Sequence, residues 1–456
     1  KNLMKKLIFI FCFCCIAASS FGQWKDLFNG KDMSGWTKKN GNAEYKISNN
    51  AIVGISQLNT PNTFLCTEAT YGDFILEVEV KVEPGLNSGI QIRSISDPSI
   101  MNGRVHGYQV EIDPGTRAWS GGIYDEARNG WLYPMSVNPL GQTAFKNGQW
   151  NKYHIEAIGS SIKTWINGVP CAKLQDAQTA RGLIALQVHG IKQEAQNGLT
   201  VQWRNIRIAT DNLKEMAWPD TDIREVSYLV NQLSDNEKRK GWRLLWDGKT
   251  AAGWRRFNAD IFPKEGWSMK DGTLTVIDSP KDSIHKGGDI ITDAQFSNFE
   301  LELDYKLTTG ANSGLKYFVV EDRSSKAKAA LGPEYQLLDD KVHPDAKAGV
   351  DGNRTTGSLY DLITSENLSE GSLDKRMNPP GKWNKVRIVS KDGHVEHWLN
   401  NLKIVEYDRY SQIFRNLVLK SKFSDHPDFG QAAAGHIVLQ DHGDEVQFRS
   451  IKIREF

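Results

Sequence analysis

The chain has 456 residues, which exceeds what a single hydrophobic core usually organises, so its length predicts at least two domains. Its 56 basic and 55 acidic side chains give a formal net charge of +1 at pH 7, which excludes the basic footprint typical of nucleic-acid-binding proteins. Fourteen Trp and thirteen Tyr suit sugar-binding surfaces, but they suit the core of a large β-sandwich equally well.

Residues 1–22 are typical of a secretory signal peptide. Three lysines form a basic start, and residues 7–18 form an apolar run that is too short to span a bilayer comfortably. We therefore expect cleavage before Gln23, export to the periplasm or cell surface, and no membrane span. Cys66 and Cys171 remain after such cleavage, and a disulfide between them is possible.

Nine short sequence blocks occur twice along the chain, in the same order and at nearly constant spacing. Chance does not preserve order and spacing over so many blocks, so the chain contains a tandem duplication. The duplication predicts one domain at residues 24–209 and a second at residues 242–456. The paired blocks are LFNGKDMSGW (27–36) and LWDGKTAAGW (245–254), FILEVEVKVEPG (74–85) and FELELDYKLTTG (299–310), NSG (87–89) and NSG (312–314), GYQVEID (107–113) and EYQLLDD (334–340), GGIYD (121–125) and GSLYD (357–361), WNKYHIEAIG (150–159) and WNKVRIVSKDG (383–393), TWINGVP (164–170) and HWLNNLK (397–403), GLIALQVHG (182–190) and GHIVLQDHG (435–443), and VQWRNIRI (201–208) and VQFRSIKI (446–453).

Each copy has the pattern of short β-strands separated by turns. In residues 74–82 apolar and charged residues alternate in part, which is the two-residue period of a half-buried strand. Asn167 and Gly168 stand between two strand-like runs and are a strong hairpin signal. The sequence therefore predicts an all-β protein with one jelly-roll sandwich in each copy.

Residues 210–241 lie between the two copies and have a different pattern. Residues 234–237 resemble a helix-capping box, and four apolar residues before them fit one helical face. We expect a short helical linker that packs between the domains. The four apolar residues are Val226, Leu229, Val230 and Leu233.

Both copies open with an L[FW][ND]GK–GW motif, continue with NSG and [GE]YQ, and close with GxIxLQ-x-HG and a final FRxIKI-like strand. This combination resembles the 3-keto-disaccharide hydrolase domain family over residues 24–209 and 242–456. The resemblance implies concanavalin-A-like jelly rolls that act on glycosides already oxidised at sugar carbon 3, by hydrolysis or by elimination. It also implies a small glycoside or oligosaccharide as substrate and an upstream sugar 3-dehydrogenase in the same pathway.

Such chemistry makes three demands on a site. A ketone at carbon 3 acidifies the proton on carbon 2, so a base near neutral pKa can remove it and the glycosidic oxygen on carbon 1 can then leave. The site also needs a donor or cation for the enolate oxygen and an acid for the leaving group.

The second copy contains candidates for all three roles. Glu334, Gln336 and Asp340 fall on one face of a predicted strand. His343 follows in the next loop, and His442 ends another predicted strand. We predict these five residues as catalytic. Predicted substrate contacts in this copy are Lys316, Tyr360, Asp361, Gln440 and Asp441.

The first copy is predicted to bind the substrate, to orient it, or to contribute to the second site across the interface between the copies. Glu111 and Asp113 share a strand face, but the second glutamate of classical sandwich glucanases is missing, and the aligned blocks place Leu338 opposite Glu111. An ordinary retaining glucanase is therefore not expected. We expect the main chemistry in the second copy, because a general base and a proton donor are easier to assemble there. Predicted substrate contacts in the first copy are Gln109, Glu111, Asp113, Tyr124, Asp125, Arg128, Trp131 and His189.

Three alternatives remain open at the level of sequence. The NSG tripeptides are expected to form a structural bulge or turn rather than a catalytic element. A divalent cation is possible as cofactor, although no ligand spacing is diagnostic. A pair of non-catalytic carbohydrate-binding modules is the alternative to an enzyme. The residues that could hold a cation are Asp339, Asp340, His343 and His442.

Overall fold

The computed structural model describes residues 24–278, 287–323, 330–372 and 374–456. The predicted signal peptide, residues 1–22, lies outside the described residues. Within them, the two halves of the chain form two tandem jelly-roll β-sandwiches, as the sequence predicts. None of the described helices has the length and apolar character needed to cross a bilayer.

The first half and the linker consist of strands and a few short helices. Short 3₁₀ helices lie at Met101–Gly103, Met135–Val137, Gly141–Thr143 and Glu194–Gln196. The other elements are β1 (Lys25–Asp26), β2 (Trp36–Asn40), β3 (Glu44–Ser48), β4 (Ala51–Ile55), β5 (Thr63–Thr67), β6 (Phe74–Val82), β7 (Ser88–Ser94), β8 (Gly107–Ile112), β9 (Ile123–Glu126), β10 (Gly130–Tyr133), β11 (Asn151–Ile158), β12 (Ser161–Ile166), β13 (Val169–Gln175), β14 (Leu183–Val188), β15 (Thr200–Ala209), α1 (Leu213–Met216), β16 (Val226–Ser227) and α2 (Asp235–Arg239).

The second half repeats this pattern and adds one longer helix. A short 3₁₀ helix lies at Pro344–Lys347. The other elements are β17 (Arg243–Leu244), β18 (Trp254–Arg256), β19 (Trp267–Lys270), β20 (Thr273–Val276), β21 (Ile290–Thr292), β22 (Phe299–Leu307), β23 (Asn312–Val319), β24 (Glu334–Leu338), β25 (Asn384–Lys391), β26 (His394–Leu399), β27 (Leu402–Asp408), α3 (Gln412–Lys420), β28 (His436–Leu439) and β29 (Val446–Glu455).

Each half folds into two facing sheets. Among the described residues, the first half forms a sheet in the order β16-β13-β12-β11-β6-β15-β4-β3, with β1 beside β15, and a second sheet in the order β10-β9-β8-β7-β14-β5-β2. The second half forms β19-β20-β29-β22-β25-β26-β27, with β17 beside β29, and β18-β21-β28-β23-β24. Neighbouring strands are antiparallel except for β13 and β16.

Alternation along the strands explains how each core forms. In β6, Leu76 and Val78 are buried in the core, whereas Glu77 between them binds Arg207 on the neighbouring strand at 2.9 Å. Each half has its own cluster of buried aliphatic and aromatic side chains. One residue crosses over, because Leu402 of the second half packs into the core of the first.

Matching hydrogen bonds in the two halves support the duplication. The indole N–H of Trp36 donates to the Leu27 carbonyl at 2.7 Å, and that of Trp254 donates to the Leu245 carbonyl at 2.8 Å. The predicted hairpin turn at Asn167 is confirmed, since Asn167 and the following glycine have φ values of 52° and 84° between strands β12 and β13. Left-handed φ values of this kind are typical of tight two-residue hairpin turns.

The two cysteines do not form the disulfide that the sequence leaves possible. Cys66 lies on β5 and Cys171 on β13, which belong to different sheets of the first sandwich. Both are buried free thiols, and burial raises the pKa of each to about 12. They therefore act as small apolar core residues.

The linker is only partly helical. The capping box is confirmed, because Ser234 Oγ accepts from the Glu237 N–H at 3.0 Å and the Glu237 carboxylate accepts from the Ser234 N–H at 2.8 Å. The expected helical face over Val226–Leu233 is wrong. Val226 and Ser227 instead form β16, because the edge of the first sandwich offers strand β13 as a hydrogen-bonding partner. The helix that follows has five residues.

Arg224 fastens the linker to the second sandwich. Its guanidinium donates to the carboxylates of Glu300 and Glu302, both buried on strand β22. Burial alone would raise the pKa of Glu300, but the charges of Arg224, Arg387 and Arg454 hold it well below its usual range. The linker thus supplies part of the positive charge that these buried carboxylates need.

We predict that Arg224→Met lowers the free energy of unfolding by about 3 kcal/mol, because it removes one partner from a buried ion cluster. Chemical denaturation followed by tryptophan fluorescence measures the change. Arg243→Met is the matched control, since Arg243 pairs with Glu455 at an exposed position and its loss should cost less than about 1 kcal/mol. Equal effects of the two substitutions would contradict the role of Arg224.

Candidate functional site

Eight of the predicted site residues lie on strands of corresponding sheets, and the others lie in the loops that follow strands. The first copy places its eight predicted residues on or after β8, β9, β10 and β14, and the second copy has Lys316 on β23 and Glu334 and Gln336 on β24. In β24, Tyr335 and Leu337 point into the core, so Glu334 and Gln336 point to the opposite face. In β8, Val110 packs in the core in the same way. The predicted sharing of a face by Glu334 and Gln336 is therefore confirmed.

The alignment of these two strands differs from the sequence prediction by two residues. Gly89 lies opposite Glu111, and the equivalent Gly314 lies opposite Gln336. Glu111 and Gln336 also receive matching backbone hydrogen bonds from the two GGIYD-type segments. Glu111 therefore corresponds to Gln336, not to Leu338.

It follows that Gln109 corresponds to Glu334. The copies carry the same two side-chain types in swapped order, Gln-x-Glu in the first and Glu-x-Gln in the second. The expectation that Leu338 is the repeat equivalent of Glu111 is wrong. The sequence alignment had matched the Tyr-Gln pair that both copies contain. A two-residue shift keeps every side chain on its face, so the alternation pattern does not reveal it.

The NSG tripeptides have a structural role, but they stand at the starts of regular strands rather than in a bulge or turn. Asn312 begins β23, and Asn87 directly precedes β7. Ser88 and Ser313 donate to the backbone carbonyls of Gln187 and Gln440 at 2.7 and 2.9 Å. A Cβ atom at Gly314 would stand 2.0 Å from Glu334 Oε1. The missing side chain therefore provides the space in which Glu334 lies.

Glu334 is the buried carboxyl group at the centre of the second-copy site. Burial raises its pKa, although the charges of Lys316 and Lys422 act in the opposite direction. Lys316 Nζ lies 4.0 Å from Glu334 Oε2 and 3.6 Å from Asp289 Oδ2. Since Lys316 is only 5% exposed, its ammonium is held beside the carboxyl by the fold rather than by chance surface contact.

Asp441 and Asp289 form the next layer of this site. Asp441 Oδ2 accepts from the Gly288 N–H at 2.8 Å, and the Asp441 N–H donates to Asp289 Oδ1 at 3.1 Å. These contacts fix the loop that carries Asp289 next to Lys316. His442, by contrast, is exposed.

One edge of the second-copy site is formed by Tyr360 and Lys422. The Tyr360 hydroxyl donates to Asp345 Oδ2 at 2.8 Å, and Lys422 Nζ lies 4.0 Å from the centre of the Tyr360 ring. Asp361 accepts from the Lys422 backbone N–H at 2.8 Å and from Arg354 at 2.6 Å. Burial lowers the pKa of Lys422, which makes its ammonium a better proton donor.

Two other predicted catalytic residues have structural partners. Asp340 accepts from the Thr356 N–H at 2.7 Å and from Lys375 at 2.9 Å. His343 caps a short 3₁₀ helix through Nδ1, which accepts from the Asp345 N–H at 3.2 Å.

Gln336 is buried in the site, and its Oε1 has no hydrogen-bond partner within the described part of the chain. A buried amide oxygen of this kind is suited to accept a hydrogen bond from a bound hydroxyl group.

The first-copy site is built around Glu111. Burial raises the pKa of Glu111 to about 7, although Asn87 and Gln109 donate to its two oxygens at 2.7 and 2.9 Å. Arg117 lies 3.8 Å away and binds Asp113 at 2.8 Å. Gln109 is itself held by Gln187, which donates to its Oε1 at 2.8 Å.

The remaining predicted residues of the first copy form an aromatic and polar wall. Trp131 makes edge contacts with Tyr124 and Trp119, with ring centres 5.2 and 4.6 Å apart. Arg128 donates to Asp125 at 2.6 Å, and this contact holds the turn between β9 and β10. His189 lies half-buried at the end of β14, and burial lowers the pKa of its imidazole.

Equivalent positions differ in charge between the copies. The strand registers place Lys316 where the first copy has Gln91, and Glu334 where it has Gln109. Asp289, which lies one residue before the paired part of β21, corresponds in the same way to Phe64 on β5. The second copy therefore has a buried ion cluster where the first has amides and an aromatic ring.

Sequence reasoning missed Asp289, Lys422, Asp345 and Arg354. Asp289 had a detectable signal, since it is a charged residue directly before the apolar strand β21. Lys422 had none, because it lies in an irregular loop after α3.

The predicted cation ligands are not gathered into one site. Asp339 accepts from the backbone N–H groups of Gly310 and Lys341 at 2.9 and 3.2 Å, so its oxygens are already engaged. Among the described residues, a different group has possible metal-ligand atoms within 4.8 Å of one another. It consists of His394, Glu396 and Glu406. There Lys403 pairs with both glutamates, which disfavours a cation.

Comparison with known proteins identifies the family. The family model described as the 3-keto-alpha-glucoside-1,2-lyase-like domain matches residues 23–209 and again residues 241–454. The chain belongs to this family. A relative from Bacteroides thetaiotaomicron, named 3-keto-disaccharide hydrolase, is 34% identical over 235 residues, which cover 47% of this chain and 78% of the relative.

Two solved structures are also similar to this chain. One from Parabacteroides distasonis, described as a candidate glycosyl hydrolase, has 33% identity and a TM-score of 0.43 over 50% of this chain and 99% of its own. A second from that organism has 25% identity and a TM-score of 0.35 over 47% of this chain and 99% of its own.

We predict that Glu111→Gln removes a pH dependence from stability. The folded protein holds the Glu111 proton with a pKa of about 7 instead of the ordinary 4.5, so the unfolded state releases that proton first as pH rises. Wild-type stability should therefore fall between about pH 4.5 and pH 7, on the order of 3 kcal/mol, and the variant should lack this loss. Thermal unfolding at pH 5 and pH 8 measures both.

Glu194→Gln is the control, because Glu194 is an exposed glutamate of the same sandwich. It should leave the wild-type pH dependence unchanged. If Glu111→Gln and wild type lose stability equally between the two pH values, the carboxyl at position 111 is not the buried group that we describe.

Proposed function

We propose that this chain is a carbohydrate-active enzyme that cleaves glycosides carrying a ketone at sugar carbon 3, and that the second copy performs the chemistry. The observation that carries the proposal is the buried Glu334 carboxyl beside the Lys316 ammonium, on the sheet face turned away from the core. Family membership and the name of the Bacteroides relative support the substrate class.

In the proposed first step, the Glu334 carboxylate removes the proton from carbon 2. Burial favours this role, because a raised pKa makes the carboxylate a stronger base than a solvated one. The electrons of the broken C–H bond form a double bond between carbons 2 and 3. The π electrons of the carbonyl move onto its oxygen, which becomes an enolate. The Lys316 ammonium, held near Glu334 at 4.0 Å, stabilises that negative charge.

In the proposed second step, the enolate reforms the ketone and expels the oxygen on carbon 1. A double bond forms between carbons 1 and 2, and the leaving oxygen takes a proton from the Lys422 ammonium, whose pKa is lowered by burial. Proton transfer from Glu334 to solvent and from solvent to Lys422 restores the site. The products are an enone and the free aglycone.

Elimination and hydrolysis share this first step. Addition of water to carbon 1 of the enone gives the 3-keto sugar, so a slow or fast addition decides whether a lyase or a hydrolase is observed. The arrangement is not that of an ordinary retaining glycosidase, which needs two carboxyl groups about 5 Å apart on either side of the bond. In the second copy the two strand residues of the site are one carboxyl and one amide.

The proposal also covers the cellular location of the protein and the source of its substrate. The signal-like residues 1–22 favour export, so the substrate would be met outside the cytoplasm. A 3-keto-glycoside is formed by oxidation of the corresponding alcohol, so a sugar 3-dehydrogenase must supply it.

The proposal is tested with an aryl 3-keto-glucoside, followed both by aglycone release and by the ultraviolet absorption of an enone. We expect release of the aglycone, with an enone signal if elimination outruns addition of water. The corresponding glucoside without the ketone should not react, because its carbon 2 proton is not acidic. Cleavage of that unoxidised glucoside at a similar rate would contradict the mechanism.

We predict that Glu334→Gln lowers turnover of the 3-keto-glucoside by a hundredfold or more, the usual scale for loss of a general base. The first-copy carboxyl variant, Glu111→Gln, should lower it less than about tenfold. Because the base must be deprotonated, wild-type turnover should rise with pH through the raised pKa of Glu334, and the variant should lose this limb.

The two carboxyl variants separate the possible outcomes. Loss of turnover in Glu111→Gln with retention in Glu334→Gln would assign the chemistry to the first copy. Retention in both, with folding verified by thermal unfolding, would contradict the assignment of the general base to either carboxyl.

A further inference from the structure

A large cleft lies between the two sandwiches, with a volume of about 1220 Å³. Strands β9 and β10 of the first copy form one wall, and β22, β25 and β29 of the second form the other. The linker closes one side. This volume exceeds the roughly 300–1,000 Å³ of ordinary small-molecule pockets, so the cleft has room for more than one sugar ring.

Both copies contribute to the construction of the cleft. Arg376 of the second copy lies 4.8 Å from the centre of the Trp119 ring of the first. Asn401 donates to the Leu132 carbonyl at 3.0 Å and to the hydroxyl of Tyr228 in the linker at 2.9 Å. The cleft is therefore a property of the tandem arrangement and not of either sandwich alone.

The cleft is lined by half-buried aromatic rings and amides. Tyr124 and Trp131 belong to the first copy and Trp383 to the second, and all three rings are partly accessible. The amide side chains of Asn129 and Gln178 also line the cleft, where Asn129 Nδ2 donates to Gln178 Oε1 at 2.8 Å. Aromatic faces and amides together match the apolar C–H faces and the hydroxyl groups of sugars.

The charges along the cleft are mostly compensated within the protein. Arg128 pairs with Asp125 at 2.6 Å, and Arg376 pairs with Glu370 at 2.7 Å. Lys385 and Arg449 both bind Asp304, at 3.0 and 3.3 Å. Because these cations already have partners, the cleft favours an uncharged ligand over an anionic one.

We infer that this interdomain cleft is a binding site for a neutral oligosaccharide, separate from the Glu334 site. The inference rests on the proposed function only in taking the ligand to be a carbohydrate. A cleft of this kind would hold the chain of a glycan near the protein while the oxidised sugar unit is processed elsewhere on it.

The test is calorimetric binding of three unoxidised probes, cellotetraose, maltotetraose and tetragalacturonate, to the full chain. We expect at least one of the two neutral tetrasaccharides to bind and the anionic one to bind more weakly. Trp383→Ala and Trp131→Ala should each weaken the neutral probe by about tenfold or more, the scale of a lost aromatic contact. Melting temperatures accompany each measurement.

Trp150→Ala is the matched control. Trp150 is the repeat equivalent of Trp383 and lies under Arg204 at 4.0 Å, as Trp383 lies under Arg449 at 4.0 Å, but it is not part of the cleft. It should leave binding within twofold of wild type. Trp383→Ala is the deciding variant, because Trp131 also contacts Trp119 in the first-copy wall.

Binding to unoxidised probes does not depend on cleavage, so this result and that of the 3-keto-glucoside assay are independent. A protein that binds the tetrasaccharide but does not cleave the 3-keto-glucoside supports the cleft and contradicts the proposed reaction. The inference is overturned if neither neutral probe binds, if the two cleft variants bind like wild type, or if tetragalacturonate binds most tightly. Concentration-dependent dimerisation that Trp383→Ala abolishes would instead make the cleft a surface for a second copy.

Discussion

The bare backbone of one glycine in each copy determines how the site face is arranged. Gly314 and Gly89 lie in regular strands, and the long side chain of the opposite strand lies directly over each of them, Glu334 over the first and Gln109 over the second. A methyl group at either position would meet that side chain at well below contact distance. The glycine therefore lets a long polar side chain lie flat on the sheet, within reach of Lys316 in one copy and of Gln187 in the other. The serine before it anchors the third strand, so the tripeptide holds all three strands of the site in register.

On this common frame the two copies have diverged in charge. A buried ammonium and carboxyl cost desolvation, and they persist where each compensates the other. In the second copy, Lys316, Glu334 and Asp289 form such a set. In the first copy, the same positions are amides and an aromatic ring, and one carboxyl, Glu111, is left with amide donors and a more distant arginine. Duplication thus retained the geometry while the electrostatics of the two faces became different.

Sequence reasoning succeeded where a pattern depends on local periodicity. The repeat, the all-β class and the hairpin at Asn167 follow from alternation and turn chemistry, and each is confirmed. It failed where several local patterns are equally compatible. The spacing of Val226 to Leu233 fits a helix, but Val226 and Ser227 pair with a sheet edge that only the folded first sandwich provides. Likewise, a two-residue shift between β8 and β24 leaves the face of every side chain unchanged, so only the hydrogen-bond partners reveal it.

The contact of Leu402 with the first core has a consequence for synthesis on the ribosome. Domains usually fold in the order in which they emerge. The first sandwich can begin to fold as soon as its strands are made, but Leu402, which is buried in its cluster, is translated only after most of the second sandwich. The last part of the first core is therefore completed late, when the second sandwich docks. Until then the first sandwich lacks the apolar cover that Leu402 provides.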